Sequence, residues 1–245
     1  MSIWGKIIGG VAGFAAGGPL GAMLGAAAGH AYDRMRADDV TKGADQNLTR
    51  QVAFTIAVIV LSAKMAKADG RVTRAEIDAF KRVFNIPRHE MAAVGRIFDE
   101  AREEASGFEP YARQIAEMFH HDRPVLEELL GGLVAIARSD GPFHPAELDF
   151  LRKIAAIFGF DASTFERVRA SVTGSADDDP YKILGLDRKV GNDDVKRAWR
   201  RLVRENHPDS LMAKGMPKEF VELANKKLAA INAAYDRVAS ERGLK

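Results

Sequence analysis

The chain of 245 residues has no cysteine. Disulfides, thiolate nucleophiles and four-thiolate zinc sites are thereby excluded, and a reducing, cytoplasmic setting suits the folded part. It also lacks a charge bias: 36 Lys and Arg against 34 Asp and Glu leave a formal net charge of +2. A generally basic nucleic-acid binder is not expected, and any charge signal has to be local. Between Asn47 and Val172 there is no sustained alternation of apolar and polar residues, which argues against strands. That region also carries no nucleophile elbow, phosphate-binding glycine loop or paired-carboxylate motif, so no catalytic residue is expected. With 47% hydrophobic residues, the composition excludes wholesale disorder, and the length suits two small domains better than one large one.

What is present begins with a charge-free stretch between Lys6 and His30. As a helix, Ile7–Ala28 would extend about 33 Å, enough to cross a bilayer core of about 30 Å once, with a kink at Pro19. Seven of these residues are Gly and seven are Ala, so insertion is expected to lie near threshold. Gly5, Gly9, Gly13, Gly17, Gly21, Gly25 and Gly29 recur at every fourth position. Such a track lets two helix backbones approach closely in lipid and predicts a homodimer through residues 1–32. The alternative is a flexible or cleaved leader ending near Ala26-Ala27-Ala28. Lys6 stands against Arg34, Arg36, Lys42 and Arg50 beyond the segment, which puts the C-terminal part on the cytoplasmic side. Residues 33–46 read as a juxtamembrane linker.

From 47 to 173, mixed three- and four-residue apolar spacing predicts an all-α domain of about seven helices. Val52–Ala63 is uncharged but too short to span a membrane, so it reads as a buried central helix. Two breaks repeat one pattern: Ala68-Asp69-Gly70 precedes Glu76-Ile77-Asp78, and Ser139-Asp140-Gly141 precedes Glu147-Leu148-Asp149. Helix termination and capping account for both. The arrangement resembles the TerB-like domain. That resemblance implies Asp69, Glu76, Asp140 and Glu147 as ligands for a divalent cation, although neither loop has the dense carboxylate run of an EF-hand. His120-His121 and His144 have no spacing that suits zinc.

Residues 174–178 are small and acidic, as in an exposed linker. Beyond them, Asp179-Pro180 opens a short helix stopped at Gly185, and a loop leads to Asn192, which is expected to cap the start of a second helix. On it Val195, Ala198, Trp199 and Leu202 form an apolar stripe beside a cationic one of Arg197, Arg200, Arg201 and Arg204. His207-Pro208-Asp209 ends that helix, and a further helix from about Pro217 to about Arg237 has an apolar stripe of Phe220, Ala224, Leu228, Ile231, Tyr235 and Val238. Two antiparallel helices would bury these stripes together. The order D-P-Y-K-I-L-G-L, K-R-A-W-R-R-L-V-R-E-N, H-P-D, I-N-A-A-Y-D resembles the DnaJ J-domain over 179–245. The resemblance implies that His207, Pro208 and Asp209 dock on a DnaK-type ATPase and promote its ATP hydrolysis. Lys196, Arg197, Arg200, Arg201 and Arg204 would face that partner's acidic surface. Trp199 stands where Tyr is frequent, and Ser210 replaces the usual Lys.

The whole layout resembles the DjlA-type family of membrane-anchored, DnaJ-like co-chaperones. That resemblance implies a single-pass protein of the bacterial inner membrane in contact with lipid, N-terminus outside and C-terminal domains cytoplasmic. It also implies action with DnaK on client proteins, including in envelope-stress signalling. A reading from another class is a membrane-associated scaffold or metal-responsive sensor with a secondary J-domain. No nucleic-acid partner is expected, and no cofactor beyond that cation.

Overall fold

The computed structural model describes residues 42–69, 77–78, 80–81, 86–103, 107–139, 141–174 and 179–244. The glycine track of residues 1–32 lies outside them, as do residues 175–178 of the expected linker. Among the described residues there are ten α-helices and no strand.

Helix α1, Lys42–Asp69, is the hub. It begins inside the stretch expected to be a linker, and Val52 to Ala66 is buried on every side. A helix apolar all round belongs at the centre of a bundle. It packs against α2 (Met91–Glu103), α3 (Glu109–Met118), α4 (Arg123–Ala137) and α5 (Pro145–Ile157). Helix α6, Ala162–Thr173, lies on α4 and α5. The described part of this domain thus shows six α-helices and a 3₁₀ turn at Arg88–Glu90, with further helical residues at 77–78 and 80–81. No helix among the described residues is long and apolar enough to cross a membrane.

Local chemistry sets the helix ends. At α5, the His144 ring nitrogen accepts from the Ala146 amide at 3.3 Å, and the Glu147 carboxylate accepts from the His144 amide at 2.8 Å. This reciprocal pair satisfies donors that a helix start leaves open. Asp161 caps α6 by accepting from the Thr164 amide at 2.8 Å.

The C-terminal domain holds α7 (Pro180–Leu184), α8 (Asn192–Glu205), α9 (Pro208–Ala213) and α10 (Val221–Arg242). Gly191, not Asn192, occupies the cap position of α8, and α10 continues past Arg237. Arg242 donates to Asn192 Oδ1 at 3.2 Å and Trp199 to Asn232 Oδ1 at 2.9 Å, so α8 and α10 run antiparallel.

One expectation about packing needs correction. Ile231, Ala234 and Val238 of α10 do pack with Val195 and Leu202 of α8, and Ala170 of α6 completes that cluster. Phe220 and Ala224, however, join the core of the helical domain together with Leu211 and Met216. The Phe220 ring meets Phe54 of α1 edge-on, with centroids 4.7 Å apart. One apolar stripe therefore serves two cores, and the domains interlock.

Candidate partner-binding site

The site is built at the C-terminal end of α8. Asn206 closes that helix: it is 1% exposed, and its side-chain amide donates to the Leu202 carbonyl at 2.7 Å. The chain then turns at His207 and restarts as α9, with Pro208 at the first helical position. Proline has no amide to leave unsatisfied there, and its fixed φ suits a helix start. The His207 Nδ1 accepts from the Asp209 amide at 3.2 Å, which leaves Nε2 as the ring position for the proton of a neutral imidazole. The His207-Pro208-Asp209 turn is thus the cap of a short helix. Its side chains divide accordingly: Pro208 is buried, while His207 and Asp209 are 52% and 82% exposed.

The cationic stripe leads to this turn. Arg197 and Arg201 are exposed and held along the helix by Asp194 and Glu205, the latter at 3.7 Å. Arg200 and Arg204 are also exposed, and no ion pair holds either among the described residues. Lys196 is half-buried on the same helix. Trp199, Arg200, Val203 and Arg204 line a shallow cleft whose far wall is His207 and Ser210. The unusual Trp199 is accommodated by stacking on Tyr235, with centroids 4.2 Å apart and planes 14° from parallel. Cation, apolar cleft and turn therefore share one exposed face.

The loop that precedes α8, at the opposite end of that helix from His207, is tied down by Arg242. It donates to the Tyr181 hydroxyl at 2.8 Å and to the Val190 carbonyl at 2.6 Å. Together with Arg188 it encloses the Tyr181 ring, the two guanidinium carbons lying 4.8 and 5.0 Å from the ring centroid.

Sequence reasoning missed α9, Asn206 and Arg242. A signal for α9 was present, since His144-Pro145 and His207-Pro208 both place an extended histidine before a first-turn proline. Of the residues considered for a cation, Glu147 caps α5, whereas Glu76, Asp140 and the Asp69 side chain lie outside the described residues. Among the described residues, no group of three metal-ligating side chains comes together.

Comparison with known proteins agrees with this arrangement along the chain. Residues 1–47 match the model of the co-chaperone DjlA transmembrane domain, 55–170 that of tellurite resistance protein TerB, and 179–242 that of the DnaJ domain. Curated relatives named co-chaperone protein DjlA align from end to end. That of Aliivibrio fischeri is 34% identical and that of Vibrio vulnificus 33%, each over the full length of both chains. The Shewanella oneidensis relative is 35% identical over the same full span. No solved structure gives a significant match. A J-domain face carried on a TerB-type helical domain, behind a matched membrane segment, makes this chain a member of the DjlA co-chaperone family.

Proposed function

We propose that this co-chaperone stimulates ATP hydrolysis by a DnaK-type chaperone at the cytoplasmic face of the inner membrane. The observation that carries the reading is the exposed His207-Pro208-Asp209 cap at the end of a cationic helix face. In this reading the arginines draw the acidic partner in, and the turn then favours the partner conformation that is closer to hydrolysis. This chain contributes no reacting group; it raises the rate only by binding that conformation better than the resting one. Single-turnover hydrolysis with and without the full chain tests the proposal. No change in rate on adding the chain would sink it.

The arginine stripe supplies a separate expectation. Arg200→Ala combined with Arg204→Ala raises the concentration for half-maximal stimulation roughly tenfold at low salt. That difference shrinks as salt goes from about 0.1 M to about 1 M, because the screening length falls from about 10 Å to about 3 Å. A salt-independent difference would mean that the arginines act through packing.

The proposed anchor is the segment matched to the DjlA transmembrane domain, which would cross once with the N-terminus outside and pair through its glycine track. In membranes washed with alkaline carbonate, the protein is expected to stay in the pellet. Its release into the supernatant would rule out a spanning anchor.

A further inference from the structure

Lys227, on α10 of the J-domain, is 1% exposed. Its Nζ lies 3.3 Å from Glu128 Oε2 and 4.0 Å from Glu127 Oε2, both on α4 of the helical domain. Glu128 is fully buried, and among the described residues its second oxygen has no hydrogen-bond partner. Glu127 also accepts from Arg167 of α6 at 2.6 Å, and Arg167 in turn lies against Gly185 of the J-domain. Burial pushes the Glu128 carboxyl above its ordinary range, and Lys227 compensates only in part. Burial acts on Glu127 too, but Lys227 and Arg167 outweigh it and hold that carboxyl below its ordinary range. Charges buried this deeply are tolerable only while they face one another, so the pair permits one docking geometry and penalises others.

The same interface reaches the partner-binding turn. Lys227 shares its helix stripe with Phe220 and Ala224, whose neighbours in the helical core are Leu211 and Met216. Both residues belong to the segment that runs from His207 to Met216. Asn47 of α1 donates to the Met212 carbonyl at 3.4 Å. Gly215 has φ +103° and sits so close to α1 that an added Cβ would come within 2.6 Å of Arg50 Cβ. Arg50 is itself held by an ion pair to Asp122 and lies 4.6 Å above the Phe119 ring. All of these contacts lie behind the turn. His207 and Asp209 stay exposed while docked, so the contact does not block access to them.

We infer that the helical domain is a brace for the partner-binding turn, and that Lys227 with Glu128 are positioning residues which keep residues 208–216 in one orientation. The brace goes beyond the proposed co-chaperone activity, and only its kinetic consequence rests on that reading. Docking preorganises the turn, so undocking leaves a smaller competent fraction and raises the apparent dissociation constant in proportion.

The test uses the full chain in detergent micelles with Lys227→Met, and with Lys227→Met plus Glu128→Leu. The single change strands a buried carboxylate and lowers the melting midpoint by about 10 °C. It also speeds amide exchange at Leu211 and Gly215–Met216, whose amides bond within the segment. The concentration for half-maximal ATPase stimulation rises roughly threefold to tenfold while the plateau is kept. The double change restores all three towards the unaltered chain, because an apolar pair of similar volume can replace an ion pair. Unchanged exchange at 208–216 in Lys227→Met overturns the brace, and so does stimulation at a lower concentration than the unaltered chain needs. If the unaltered chain stimulates nothing, the co-chaperone reading fails, yet the exchange pattern still decides whether the brace exists.

Discussion

Replacing His207 by Gln in the full chain is expected to abolish its stimulation of single-turnover ATP hydrolysis by a DnaK-type chaperone, with folding left intact. The two effects separate because His207 has two jobs. Its Nδ1 accepts from the Asp209 amide to cap α9. A glutamine carbonyl can substitute for that acceptor, and cap substitutions cost only about 1 kcal/mol. The imidazole ring and the fixed position of its Nε2 proton have no equivalent, since the glutamine N–H donors sit elsewhere on a flexible, non-aromatic chain. Removing one partner of a hydrogen bond buried in an interface costs about 2–5 kcal/mol, a loss of at least about thirtyfold. Single-turnover hydrolysis reports the loss, and circular-dichroism melting reports the fold. A variant as active as the unaltered chain would remove His207 from the mechanism. A variant that is both inactive and unfolded would show that its cap matters more than its outward face.

Phe220→Ala is expected to lower the stability of both domains at once. Phe220 is 0% exposed, and its ring packs on Phe54 at the centre of the helical domain, although it precedes the long last helix of the J-domain. Truncating a buried phenylalanine costs about 3–5 kcal/mol through lost transfer energy and the cavity left behind. In a chain of this size that lowers the melting midpoint by about 10 °C. Calorimetry should show one transition before and after, because the two clusters are joined through Phe220, Ala224 and Ala170. Two transitions, of which only one moves, would mean that the domains are independent beads.

Much of this arrangement could be read without coordinates. The uncharged, mostly apolar run from Val52 to Ala63 calls for burial on every side, which makes α1 the central helix. Alternation at three and four residues on α8 separates Val195, Ala198 and Leu202 from the arginines, because side chains at those spacings share a helix face. Capping chemistry is local as well, so the helix start at Asp179 follows from its own side chain and the proline after it. Two local details differ from the expectation: the chain continues beyond His207 as the short helix α9, and Gly191 rather than Asn192 caps α8.

Lys227 was illegible for a different reason. It falls on the stripe of Phe220, Ala224 and Ile231, yet a lysine at a stripe position ordinarily marks its exposed edge. Only a carboxylate brought from α4, 99 residues away in sequence, makes its burial tolerable.

The sequence by itself determined which residues must leave water, where most of the helices lie, and that a His-Pro-Asp turn ends the cationic helix. Tertiary structure alone decided what each stripe packs against. The hydrophobic effect is non-directional: it requires that Phe220 and Ile231 be buried but does not choose the surface that covers them. That choice rests on shape and on paired charge between distant segments, through which the helical domain and the J-domain become one interlocked body.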